Sequence, residues 1–271
     1  MLFTAIYKNC NIKNGRGIMK LLRNLLLPIL GVILWEIFAI YLNNPVIIPR
    51  VESVLNVLFH PWEGILGTGN LVENTVISIK RVISGFIVAG CVAIPLGILM
   101  GYYSFVNDLF DTVIELLRPI PPLAWVPLAL AWFGIGEASM LFIIFIGAFF
   151  PILINTISGV KGVPKPLIEA ALTLGAKSKD ILIKVVIPAS SPSILTGLRV
   201  GAGIAWMCVV AAEMLPGSDA GLGYLIMYAY SLSRMDVVIA AMAVIGLIGL
   251  ILDRGLRFIE DRYFKWRSMM K

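Results

Sequence analysis

Glu169-Ala170-Ala171-Leu172-Thr173-Leu174-Gly175, with Val185-Val186-Ile187-Pro188 further on, forms a polar stretch set between long hydrophobic runs. Pro164 and Pro166 open it, and proline suits a helix start because its missing N–H would be unpaired there anyway. Glu169 is expected in the first turn, where a carboxylate complements the helix dipole. Ala170, Ala171 and Leu172 favour helix. Gly175 stops it, since glycine takes the left-handed conformation without steric cost. Ser178 is expected to cap a second helix, Lys179 to Val186, which Pro188 ends. There Ile181, Leu182, Val185 and Val186 share a face, while Lys177, Lys179 and Lys184 offer charge. The stretch reads as a rigid two-helix knob, either packed only against its own hydrophobic helices or presented to a partner.

The surroundings of this knob are those of a membrane protein. Of 271 residues, 59% are hydrophobic and 14% charged, and the mean hydropathy is +0.93. Soluble domains are about 45–50% apolar and about 25% charged. Spans need about 20 mostly apolar residues. Six segments qualify: 24–42, 83–103, 117–134, 138–157, 195–215 and 237–255. Helices are required, because open strand edges cannot be satisfied in lipid. The third span is interrupted by Pro119, Pro121, Pro122 and Pro127. The expected fold is therefore an all-α polytopic membrane protein with about six transmembrane helices. Its parts are a cytoplasmic N-terminal segment, 1–23, and a transmembrane domain, 24–271, with a cytoplasmic loop at 158–194. The true start is Met1 or Met19, and no cleavage site follows the first apolar run.

Net charge is +6, but the basic residues flank spans, which speaks for topology rather than nucleic acid. One face collects eighteen lysines and arginines from the N-terminal segment, Arg118, the 158–194 loop, Arg199 and the tail. The other keeps Arg50, Lys80, Arg81 and Arg234. That asymmetry puts both termini and the loop in the cytoplasm. On the other side, Val51, Val54, Leu55 and Leu58 have helical spacing, consistent with a helix on the membrane surface or with a simple connector. Asn74, Ser78 and Arg81 form a polar stripe leading into the second span.

Cys10, Cys91 and Cys208 make no metal-ligand spacing, and His60 is the lone histidine, so no metal site is expected. Gly175-Ala176-Lys177-Ser178 misses a P-loop, in which glycine directly precedes the lysine. Glu213, near the end of the fifth span, is a candidate for the solute pathway or for a hydrogen bond fixing the 214–224 loop. Trp206 and Met207, mid-span, are further pathway candidates, with packing as the alternative. Glu36 is expected to make a polar contact to a neighbouring helix. Gly97/Gly101 and Gly197/Gly201 have the spacing of close helix approach. Trp62, Trp125, Trp132 and Trp266 are candidate interface markers, and Asp108, Asp111 and Glu115 a solvated face.

The knob resembles the cytoplasmic signature of binding-protein-dependent ABC importer permeases. Glu169, Ala170, Ala171, Gly175 and Pro188 match it at every offset, with Val185 and Ile187 conservative. Further stretches resemble the taurine, nitrate, sulfonate and thiamine-precursor branch: Ser78-x-x-Arg81-x-x-x-Gly85-Phe86, Pro95-Leu96-Gly97, Arg118-Pro119-Ile120-Pro121-Pro122, Ala212-Glu213 and Gly221-Leu222-Gly223. The resemblance implies a type I importer permease whose Glu169, Ala170, Ala171, Gly175 and Pro188 couple to a separate ATPase. It implies a second copy of the chain, an extracytoplasmic binding protein, ATP held only by the partner, and a small anion or thiamine-precursor-like solute. An ion-gradient-driven secondary transporter is the rival, but it would carry a repeated half and broken helices. A membrane enzyme would need clustered catalytic groups, which the lone His60 and scattered acids do not provide.

Overall fold

The computed structural model describes residues 26–65 and 67–263. The segment 1–23, the first residues of the span expected from 24, and Trp266 with the tail charges beyond it lie outside the described residues. Among the described residues the chain is helical, with one isolated bridge between Gly64 and Asn70. The elements are α1 (Leu26–Leu42), α2 (Val51–Phe59), α3 (Leu71–Tyr102), α4 (Ser104–Leu117), a 3-10 turn at Pro122–Trp125, α5 (Val126–Phe133), α6 (Glu137–Lys161), α7 (Lys165–Thr173), α8 (Ser178–Ile181), α9 (Ile187–Glu213), α10 (Leu222–Ser231) and α11 (Met235–Tyr263). Two compact units result: one runs to His60 and includes Ala229–Ala240, and the other takes Pro61–Tyr228 and resumes at Ala241.

In the first unit, α1 binds α2 through two polar contacts in an otherwise apolar helix. Glu36 Oε2 accepts the Val51 N–H at 2.9 Å, and Trp35 Nε1 donates to the Pro49 carbonyl at 3.0 Å. The N-cap residue of α2, Arg50, makes no side-chain cap bond, so the carboxylate from α1 satisfies an orphan N–H at that helix end. This is the contact expected of Glu36. The 51–59 segment is a helix, with Val54 buried.

The second unit is built around α6, which α3 and α9 flank. Close approach needs small residues, and glycines supply them on both sides. A Cβ on Gly97 would lie 2.7 Å from Thr156 Cβ, and one on Gly101 2.5 Å from Val160 Cβ. Across the other face a Cβ on Gly197 would lie 2.7 Å from Asn155 Cβ, and one on Gly201 2.9 Å from Ile152 Cγ1. Both expected glycine pairs are thus packing devices against the same central helix, whose Ile143, Ile144, Ile152 and Leu153 are fully enclosed.

Every expected span carries a helix, but the boundaries move. Among the described residues, four helices are long and apolar enough to cross a membrane, or five if a bent pair counts as one, and Leu26–Leu42 is shorter. The second span begins at Leu71 rather than 83, because its polar stripe faces inward and is satisfied there. The third, expected as one helix over 117–134, is α4 followed by the 3-10 turn and α5, bent by 91°. Pro119, Pro121 and Pro122 remove donors and clash with preceding carbonyls, so the helix cannot run through. The fifth extends back without interruption, over Ser178–Glu213. Pro188 does not end the preceding helix, as the sequence had suggested. The backbone widens into a π turn at Leu182–Val186, and such turns absorb a proline that a regular α-helix rejects.

Gly101→Leu should lower the thermal midpoint of the detergent-solubilised protein, as overpacking costs about 1–3 kcal/mol. Gly203→Ala, inside α9 with nothing within 4 Å of its added methyl, should hold or slightly raise the midpoint, because alanine is favoured over glycine in a helix by about 0.5–1 kcal/mol.

Candidate functional site: the knob and a buried arginine clip

The knob forms, with three local corrections. Helix α7 starts at Lys165, which places Glu169 in its second turn rather than its first, with the side chain exposed. Gly175 has φ +80°. Its N–H donates to the Leu172 carbonyl at 2.9 Å, and the Ala176 N–H donates to the Ala171 carbonyl at 3.0 Å. This reciprocal pair is the Schellman stop, which uses glycine in the left-handed region. Ser178 does not cap: Lys177 is the N-cap, with no side-chain bond, and the second helix is α8 plus the π turn. The Ser178 hydroxyl is instead 3.0 Å from Tyr102 Oη, which also donates to the Ser178 carbonyl at 3.2 Å.

The knob packs on its own long helices along one face only. Ile181 and Val186 are buried with Val160 and Val163, and Leu182, Val185, Ala171 and Ala176 pack on them. The amphipathic face therefore anchors the knob to the ends of α3 and α6. Its other side presents Leu167, Leu172 and Leu174, the last 87% exposed. Ala170 and Pro188 are exposed as well.

At the far end of α3 lies a second constellation. Asn74, Ser78 and Arg81, spaced to share one helix face, are all buried. Glu213, the last residue of α9, is 1% exposed. Its carboxylate accepts from Ser78 Oγ at 2.9 and 2.8 Å, from Arg81 Nη1 at 3.1 Å and from the Gly223 N–H at 3.0 Å. Arg81 Nε also donates to Glu137, in the first turn of α6, at 2.9 and 3.0 Å, and Nη1 donates to the Ala220 carbonyl. The loop after α9 is hung on the same stripe. Asn74 Oδ1 accepts the Gly221 N–H at 2.7 Å, and Ser78 Oγ accepts the Leu222 N–H at 2.9 Å. Gly221 has φ +115°, and a Cβ there would overlap the Glu213 carboxyl group.

Of the pathway candidates, Glu213 is thus turned into the protein and bound to the loop. Trp206 is buried, and its Nε1 donates to the Ile245 carbonyl at 3.1 Å. Met207 is 73% exposed. Arg199, counted from sequence among flanking charges, lies within α9 and pairs with Asp253 of α11 at 2.9 Å. Arg81 likewise belongs to a helix, not to a flank. His60 follows α2, with Nδ1 3.0 Å from the Asn56 carbonyl. Sequence reading found the stripe and Glu213 separately but did not join them, and it passed over Glu137. Only the shared periodicity of Asn74, Ser78 and Arg81 signalled a common face.

Long apolar helices packed through glycines, with an ordered knob at the ends of three of them, are the architecture of a polytopic membrane protein. The chain belongs to the family of binding-protein-dependent transport system inner membrane components, whose model matches residues 93–265. It is 82% identical over 245 residues to a putative ABC transporter permease protein of Methanocaldococcus jannaschii, covering 90% of this chain and 92% of that one. It is 36% identical to the taurine transport system permease protein of Escherichia coli, covering 89% and 88%. With the bicarbonate transport system permease protein of Synechococcus elongatus the identity is 37%, covering 88% and 89%. Among solved structures, the MetNI methionine ABC transporter in an inward-facing conformation matches in fold, with TM-score 0.56 and 19% identity over 70% of this chain and 95% of that one. The chain is a non-catalytic, multi-pass permease subunit of an ABC importer, and the family implies an ATPase and a substrate-binding protein as partners.

Removing one member of a buried ion pair costs about 3–5 kcal/mol because the other charge is left uncompensated. Arg81→Met should therefore sharply lower the thermal midpoint in detergent. Glu137→Ala should barely move the midpoint, since an exposed partner contributes about 0–1 kcal/mol.

Proposed function

We propose that residues Glu169 to Pro188 are the coupling element on which the ATPase seats, and that two copies of the chain form the pathway for a small anion. The observation that carries the docking reading is the exposed apolar rim, Leu167, Leu172 and Leu174, on a knob whose other face is fixed to α3 and α6. An ordered apolar patch facing water is a protein-interaction surface. Glu169, Ala170, Ala171, Gly175 and Pro188 shape it: the alanines keep α7 slim, Gly175 sets the turn, and Glu169 places one charge beside the leucines. The lysine and arginine asymmetry, seventeen to three once the helix-borne Arg199 and Arg81 are set aside, supports placing the knob and both termini in the cytoplasm.

ATP is bound and hydrolysed by the partner alone, and a binding protein delivers solute to the opposite face. Relatives named for taurine and bicarbonate transport support a small anion as solute. Of the pathway candidates, Met207 is the one left exposed on α9, which favours it over Trp206 and Glu213. Alternating access needs the knobs to turn ATP-driven closure into helix movement about the central pathway.

A mild-detergent pull-down of the tagged chain tests the docking. The intact chain should bring down a P-loop ATPase, and Glu169→Lys should lose it while keeping its thermal midpoint. A folded chain that holds no ATPase in either form would refute the assignment.

A further inference from the structure

Two long helical lines are joined to each other near both ends. One is α3, Leu71–Tyr102; the other runs from Ser178 through the π turn to Glu213 without a break. At the knob end the bond is Tyr102 to Ser178. At the other end it is Ser78 and Arg81 to Glu213. The second line spans about 54 Å at 1.5 Å per residue. The loop 214–221 and the start of α10 hang from that distal junction by the Gly221, Leu222 and Gly223 N–H groups and by the Ala220 carbonyl.

We propose that Arg81 and Glu213 are positioning residues that carry movement of the knob to the loop 214–221, so that this loop shifts when the ATPase engages. Hydrogen bonds weaken steeply once stretched or misaligned, so displacing Glu213 by about 1 Å must either drag the loop or release it. Arg81 suits the role by geometry. Its planar fork reaches Glu213, Glu137 and Ala220 at once, tying α9, α6 and the loop to α3, which the point charge of a lysine cannot do. A buried ion pair adds little stability over an apolar contact of the same volume, and the best-attested use of such pairs is to fix register. The continuity of α8, the π turn and α9 removes the joint that Pro188 would otherwise place between knob and loop.

The proposal rests on the reading that the ATPase docks on the knob. Its test uses the complex of this chain with that ATPase, in a background of Cys10→Ser, Cys91→Ser and Cys208→Ala, carrying Pro216→Cys. Pro216 is exposed in the loop and belongs to neither junction. The rate at which a membrane-impermeant maleimide labels the introduced thiol is measured with and without ATP plus vanadate. In the otherwise intact complex the rate should change severalfold on trapping. With Arg81→Lys or Glu213→Gln the ATPase should still co-purify, and the change should vanish. Glu137→Gln, at an exposed carboxylate that the fold tolerates losing, should shrink the change and guards against a folding defect in the buried variants. Retention of the full change in all three variants, or no change in the intact complex, would overturn the proposal. Absence of the ATPase from the intact complex would instead overturn the docking reading and the proposal with it, and it is recognised by the missing band rather than by labelling.

Discussion

The buried pairing of Arg81 with Glu213 is the constraint on which the second unit depends. A charge removed from water is tolerated only when it is paired and its remaining valences are filled. Here the carboxylate receives Ser78, Arg81 and the Gly223 N–H, and the guanidinium is shared among Glu213, Glu137 and the Ala220 carbonyl. Three helices and one loop must be correctly placed for every one of these bonds to form. The apolar contacts elsewhere in the unit fix spacing, whereas this cluster fixes register.

The pairing can stay closed because the helices beside it come very close. Glycines on α3 and α9 face α6 at positions where any Cβ would collide. In lipid there is no hydrophobic force drawing helices together, so close van der Waals packing and polar contacts must supply the affinity. The two therefore support each other: glycines allow the approach, and the polar cluster selects one alignment among those that glycines permit. At the opposite end the π turn at Leu182–Val186 carries Pro188 within a continuous helix, and this gives the knob a stiff connection to the membrane part of the chain.

Much of this was legible in the sequence. Hydropathy placed a helix in each of the six expected segments. The Glu169-to-Pro188 pattern located the knob, and Gly175 marked its turn through the left-handed conformation that only glycine adopts cheaply. The failures share one cause. Hydropathy cut α3 short at its polar stripe, since a residue buried by a partner far along the chain scores the same as one in water. Proline rules ended the knob's second helix at Pro188, since a local rule does not see the backbone widening one turn earlier. Ser178 was read as a cap, when its hydroxyl was committed to Tyr102.

The sequence by itself determined the membrane setting, the all-α class, the knob and the family, because each rests on composition or on spacing within one turn or one helix. Tertiary structure alone decided that Asn74, Ser78, Arg81, Glu137, Glu213, Gly221 and Gly223 form one cluster. Their separations reach 147 residues, and contacts of that range are fixed by how helices pack, which no local pattern encodes.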